Sequence, residues 1–144
     1  MPDAEVWLTC RLLSTTARLV ENMWSQKLGA LGLTPPSVIA LDALQASGPT
    51  TVAWLARSVR VSAQTLGPVI LRLESRGYVL RRWDVFDRRR FLVSITEQGE
   101  ALLEQAHDLE RTVFDGLDVD TNRLREELQI IVRQVHLEPP SRAF

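Results

Sequence analysis

Apolar positions recur every three to four residues along most of this chain, and that period predicts helices. Residues 5–28 form the first, with Val6, Leu12, Leu13, Ala17, Val20, Met23, Trp24 and Leu28 near helical spacing; Gly29 and Gly32 loosen its end. Thr34 caps a second helix, with Pro35 at its first position, where a missing N–H costs nothing. That helix carries Ile39, Leu41 and Leu44 and stops at Ser47-Gly48-Pro49. Thr50 or Thr51 caps a short third helix with Val52, Leu55, Ala56 and Val59 inward, and Arg60-Val61 makes a tight turn. Ser62 caps a fourth, in which Leu66, Val69, Ile70 and Leu73 share one face and Gly77 ends the helix through a left-handed residue. The pattern then changes to strands at about 78–83 and 90–95. Thr96 caps a fifth helix, with Glu97 in an acidic first turn that suits the helix dipole, running to about Leu117. Asp120 or Thr121 caps a sixth, with Leu124, Leu128, Ile131 and Val135 on one stripe, and Pro139-Pro140 ends the pattern.

The expected fold is therefore mainly α with a small β wing. The first, fifth and sixth helices are too apolar to be solvated alone. They pack together, either within the chain or with a second copy.

Charge sharpens this picture only when read locally. The 144 residues carry a net charge of −1. Yet residues 57–90 hold nine arginines and three acids, whereas residues 97–120 hold eight acids and one arginine. A helix followed by a basic two-stranded ribbon fits duplex DNA: the helix enters the major groove and the ribbon tip reaches the adjacent minor groove. A plain solvated charge run is the alternative. The single Cys10 excludes an internal disulfide framework. No apolar run reaches membrane-spanning length, and MPDAEVWLTCRLL lacks the basic start and long apolar centre of a signal peptide, so a cytoplasmic protein with no membrane partner is expected.

On the fourth helix, Gln64, Pro68, Leu71 and Ser75 lie opposite the apolar face, with Arg72 beside them. Gln64 suits bidentate pairing with adenine, and Arg72 suits a phosphate or guanine. Pro68 removes one helical bond, to Gln64, and Gly67 removes bulk where backbone could approach DNA. Ser62 and Thr65 complete the expected DNA-binding set on this helix. At the ribbon tip, Asp87 and Arg89 share one side of an extended chain, so the carboxylate can aim the guanidinium at a narrow, negative groove. Arg88 and Arg90 flank it. A surface ion pair of about 0–1 kcal/mol is the bland alternative.

The stretch 33–103 resembles the multiple antibiotic resistance regulator (MarR) family of winged-helix repressors. The resemblance rests on LTPPSVIALDAL, TVAWLARSVRVSAQTL, LRLESRGYVLRR and D-x-R-x(5)-I-T at Asp87, Arg89, Ile95 and Thr96. It implies an N-terminal dimerisation helix (1–32), a winged helix-turn-helix DNA-binding domain (33–96) and C-terminal dimerisation helices (97–144). It further implies an obligate homodimer, a recognition helix at 62–76, a wing at 83–90 with Arg89 in the minor groove, and a ligand crevice. Three positions depart from the family pattern: Trp54, Trp83 and Phe86 stand where small or polar residues are usual. Cys10, 24 residues before Thr34, together with T-L-x-P in the fourth helix, is similar to the organic-hydroperoxide-sensing branch. That branch uses tyrosines near the thiol, and Ser14 and Trp24 occupy the matching positions here.

No enzyme constellation, metal-ligand spacing or phosphate-binding glycine loop is present, so no catalytic residue, metal or cofactor is expected; His107 and His136 stand alone on their helices. The expected function is a homodimeric regulator of a pseudo-palindromic duplex operator, acting as a repressor released by a small apolar or aromatic effector. Leu13, Ala17, Val20, Trp24 and Ile39 are the candidates to line its site, with Arg11 or Arg18 for a carboxylate. Two alternatives stand beside it: a redox-sensing repressor that uses Cys10, and a winged-helix interaction module without DNA binding.

Overall fold

The computed structural model describes Glu5 and residues 7–136. These contain α1 (Thr9–Leu28), α2 (Pro35–Ser47), α3 (Val52–Val59), α4 (Ala63–Ser75), β1 (Val79–Trp83), β2 (Phe91–Ile95), α5 (Glu97–Glu110) and α6 (Thr121–His136). A short 3-10 turn at Gly29–Leu31 joins α1 to α2. The chain divides into two compact units, Met1–Val113 and Phe114–Phe144. Val6 and Pro139-Pro140 lie outside the described residues.

Side-chain caps start the helices where the sequence places them. Thr34 accepts from the Ser37 amide, Thr51 from Trp54, Ser62 from Thr65 and Thr96 from Gly99, each meeting an amide that has no partner within its own helix. Asp120 does the same for α6 through the Arg123 amide. Two ends differ from expectation. α1 begins at Thr9, not residue 5, and Leu8 before it offers no capping side chain. α5 stops at Glu110 rather than near Leu117: Thr112 and Val113 bond back three residues, to Leu109 and Glu110, and the Thr112 hydroxyl takes the Leu109 carbonyl at 2.7 Å. A side chain competing for that carbonyl favours a tight turn over another turn of α-helix.

In the first unit α2 is the hub. It packs on α1, α3, α4, α5 and β2, and its Val38, Leu41 and Leu44 are wholly buried with Leu28, Leu55, Ile70, Val79, Val93 and Leu103. The strands pair antiparallel from Val79 opposite Ile95 to Trp83 opposite Phe91. Thr50 extends the sheet by one residue, exchanging bonds of 3.0 and 2.7 Å with Val93. Thr51, not Thr50, is thus free to cap α3.

The exit from α4 is fixed by a second set of contacts. Gly77, at φ +81, takes the left-handed turn, and Tyr78 donates to the Leu73 carbonyl. Thr96 reaches back across the sheet: its amide donates to Tyr78 O (3.1 Å) and its hydroxyl to Gly77 O (2.7 Å). Gly99 lies directly on this turn. A Cβ there would collide with the Tyr78 carbonyl oxygen and crowd Ile95. Gly99→Ala is therefore expected to destabilise the protein by about 1–3 kcal/mol, read as a lowered midpoint in urea titration; an unchanged midpoint would show that α5 can slide to make room.

Candidate nucleic-acid interface

Two surfaces meet at this corner: the outer face of α4 and the ribbon with its loop. α4 presents Gln64, Pro68, Leu71, Arg72 and Ser75 to solvent while Leu66, Val69, Ile70 and Leu73 are buried. Pro68 lies inside the helix, and Gly67 has nothing within 4 Å of where a Cβ would stand. The hydroxyls of Ser62 and Thr65 are 2.8 Å apart, and Ser62 takes the Thr65 amide, so this pair holds the first turn together. Arg72 makes no side-chain hydrogen bond or ion pair among the described residues. The far end of α4 is anchored by Arg76, which donates to Gly32 O at 2.7 Å, and by Glu74, which pairs with Arg81 on β1.

The loop between the strands, 84–90, is ordered by two carboxylates. Asp84 is nearly inaccessible. Its Oδ1 accepts from the Phe86 amide (2.9 Å), its Oδ2 from Arg90 Nε (2.8 Å), and its own amide donates to Arg90 O (3.0 Å), closing the loop. Asp87 Oδ1 accepts from both the amide and Nε of Arg89, each at 3.1 Å. The Arg89 side chain is nevertheless 91% exposed, a cation held in one direction and left open. Arg88 has no partner among the described residues. The sequence expectation of an Asp87–Arg89 pair is met in geometry. Arg90, grouped with the other two, is tied into the loop by Asp84.

Both carboxyls are held below the ordinary carboxylate range. For Asp84 the main cause is the Phe86 amide, followed by Arg90; for Asp87 it is the Arg89 guanidinium, followed by the Arg89 amide. Asp84 is the residue sequence reasoning missed. An acid in a basic stretch reads as solvated, but two signals were available: Asp84 and Arg90 bracket the loop, and D-x-F before D-x-R repeats one spacing.

The three unusual aromatics divide. Trp83 stacks on Phe91, its cross-strand partner, with centroids 3.8 Å apart and planes at 28°, and Arg81 lies over the other ring at 5.1 Å. Local packing thus accounts for Trp83. Trp54 is exposed on α3, and Phe86 is 96% exposed at the loop.

The five candidates for an effector site are spread along α1 and α2. Val20 and Trp24 are half-buried, and Trp24 packs on the core; Leu13, Ala17 and Ile39 are exposed. Arg11 lies over the Trp7 ring at 4.0 Å, and Cys10 is exposed. A cleft of about 450 Å³ between α2 and α5 is lined instead by Gln45, Glu97, Glu100, Glu104 and His107, and His107 is bonded to Asp42 at 2.6 Å. Among the described residues no group of three His, Cys, Asp or Glu could hold a metal ion, and no helix is long and apolar enough to cross a membrane.

A depressed carboxyl contributes order fully above its unfolded value of about 3.9 and loses that contribution as pH falls through its lower folded value. The amides of Phe86 and Arg89 should therefore stay protected from hydrogen exchange from neutral pH down to about pH 4 and lose protection only in stronger acid. At neutral pH Asp84→Ala should release the Phe86 amide and leave the Arg89 amide slow, while Asp87→Ala should do the reverse. Equal exchange in both variants would mean that the loop is held by its backbone alone.

Comparison with known proteins agrees with this geometry. The sequence profile of the MarR family matches residues 31–90. The chain is similar to the organic hydroperoxide resistance transcriptional regulator of Bacillus subtilis, 29% identical over 88% of each chain. A probable transcriptional regulator from Pseudomonas aeruginosa shares 30% identity and a TM-score of 0.70 over 85% of this chain and 96% of its own. A Mycobacterium tuberculosis MarR family protein, solved as a complex with p-aminosalicylic acid, is 26% identical with a TM-score of 0.69 over 89% of this chain and 98% of its own. With a capped helix, an Arg-tipped ribbon and helical flanks in the same order, this chain belongs to the MarR family of winged-helix, DNA-binding transcription regulators.

Proposed function

We propose that the protein works as a homodimeric repressor on a pseudo-palindromic duplex, with α4 in the major groove and Arg89 in the adjacent minor groove. The observation that carries this is the wing tip: a guanidinium bonded on one side to Asp87 and otherwise open to solvent. Minor grooves are narrow and negative, so a cation already fixed in direction enters with little further ordering. On α4, Gln64 reads a base edge, while Gly67 and Pro68 let the backbone come close. Arg72 neutralises phosphate. Ser62 and Thr65 hold the first turn against the duplex, and Arg88 adds unpaired charge beside Arg89, with Arg90 shaping the loop. The apolar side chains that remain exposed on both terminal helices, among them Leu12, Leu13 and Leu19 on α1 and Leu128, Ile131 and Val135 on α6, support the dimer.

Arg89→Ala is expected to weaken duplex binding severely in fluorescence anisotropy at fixed salt without altering the dimer, and Asp87→Ala to do milder damage of the same kind. Gln64→Ala should cost about 1–3 kcal/mol at one base position, whereas Arg72→Ala should weaken all sequences nearly equally and lower the salt slope by about one. Wild-type affinity for Arg89→Ala would remove the wing from the interface.

The effector proposed is a small aromatic acid, seated beside Trp24 where α1 meets α2, with Ala17, Val20 and Ile39 as its lining and Arg18 on its carboxylate. Leu13 and Arg11 lie 11 and 13 residues before Trp24 on α1, roughly 16–20 Å away, too far to share one small ligand with it. Support comes from Trp24 Nε1, the one buried side-chain donor among the described residues without a partner, since such an atom gains from any acceptor delivered to it. The acidic lining of the α2–α5 cleft suits an anion poorly. A ligand of this kind acts only through different affinities for the DNA-bound and released dimer. Cys10→Ser should keep both DNA binding and release by aromatic acids such as salicylate. Release by organic hydroperoxide that disappears in Cys10→Ser would instead make Cys10 the sensor.

A further inference from the structure

The wing holds one group that the minor-groove reading leaves idle. Phe86 is 96% exposed, at the tip of a loop otherwise made of charged residues and Val85. Solvent is a poor place for such a ring, and the wing's own aromatic platform is already closed, because Trp83 is stacked on Phe91. Nor is the position loosely held. The Phe86 amide is bonded to Asp84, which is buried and clamped by Arg90. Three residues on, the Arg89 amide is bonded to Asp87 by the same two-residue reach. Two carboxylates thus fix the backbone that carries an exposed ring and, three residues on, a directed cation, both at one tip.

We propose that Phe86 is a wedge that enters between two base pairs from the minor-groove side and partly unstacks that step, with Arg89 in the groove beside it. The proposal rests on the minor-groove reading of the wing. Minor-groove proteins open a base step with apolar side chains and bend the duplex away from them. The cost is lowest at pyrimidine–purine steps, so Phe86 would favour a TA or CA step that no side chain reads by hydrogen bonding. Fixing the backbone that carries the ring before binding removes part of the ordering cost. An anionic lipid surface also takes a cationic, aromatic loop, but membrane binding grows with buried apolar area. This tip offers only Val85 and Phe86, and its cation is aimed by a carboxylate.

The test uses the full-length dimer and a short duplex recovered by the wild-type protein from a randomised pool, with 2-aminopurine replacing successive adenines. Wild-type protein is expected to raise 2-aminopurine emission at one step in each half-site and to bend the duplex in a circular-permutation gel. Phe86→Ala should abolish the emission rise, reduce the bend and weaken binding about tenfold, and Phe86→Leu should keep part of each effect. Phe86 touches no core, so neither variant threatens folding. Arg89→Ala separates the two levels of the argument. Weak binding by Arg89→Ala, with emission and bend unchanged in Phe86→Ala, would overturn the wedge and leave the wing reading standing. Wild-type binding by Arg89→Ala would overturn both. Loss of binding to phosphatidylglycerol vesicles in Phe86→Ala, with DNA behaviour unchanged, would overturn the wedge in favour of a lipid contact.

Discussion

Three hydrogen-bonding partners, Gly77, Tyr78 and Gly99, converge on Thr96, and the relative setting of α4, the ribbon and α5 depends on them. Its hydroxyl donates to Gly77 O and accepts from Gly99 N, while its amide donates to Tyr78 O. The end of α4, the start of β1 and the start of α5 are thereby fixed to one residue. Valine has the same shape but no hydroxyl, so it would leave the Gly77 carbonyl and the Gly99 amide unpaired at once. Gly99 completes the joint by absence, since any Cβ meets the Tyr78 carbonyl. The Ile-Thr of the D-x-R-x(5)-I-T motif is thus a structural hinge-pin, while its Asp and Arg face solvent.

The three consecutive arginines of the wing have different tasks. Arg90 is bonded to a buried carboxylate and belongs to the loop's framework. Arg89 is bonded to a half-exposed one and is aimed, and Arg88 has no partner among the described residues. Asp84 and Asp87 reduce the wing's charge, yet they give direction to what remains. The eight acids of residues 97–120 lie beyond the ribbon in sequence, so basic and acidic surfaces belong to successive segments and the small net charge hides both.

Much of the fold was legible because its boundaries are written in local chemistry. Thr34, Thr51, Ser62 and Thr96 each precede an apolar stripe and each caps as expected, and the strands fall within a residue of their predicted ends. The errors arose where the signal was not local. The apolar spacing carries on past Glu110 through Val113 and Leu117, but the Thr112 hydroxyl and a run of three-residue bonds end α5 first. Asp87 and Arg89 were legible because they lie two apart in an extended segment. Asp84 was not, because its importance comes from burial and from Arg90 across the loop. The effector residues are the least legible, since helical periodicity gives one face of a helix and not what lies opposite it.

Every bond that shapes the wing tip is made within 84–90, spanning at most six residues of chain. Two of the bonds that orient α4 span far more: 19 residues from Thr96 to Gly77 and 44 from Arg76 to Gly32. Contacts close in sequence need little loop closure and form quickly, while distant ones wait for the chain to collapse. The tip is therefore a self-contained module, a seven-residue instruction whose aim needs only a two-stranded ladder beneath it. Moved onto another antiparallel hairpin of the same register, it would carry its direction with it; α4 taken from its lobe would keep its residues and lose its angle.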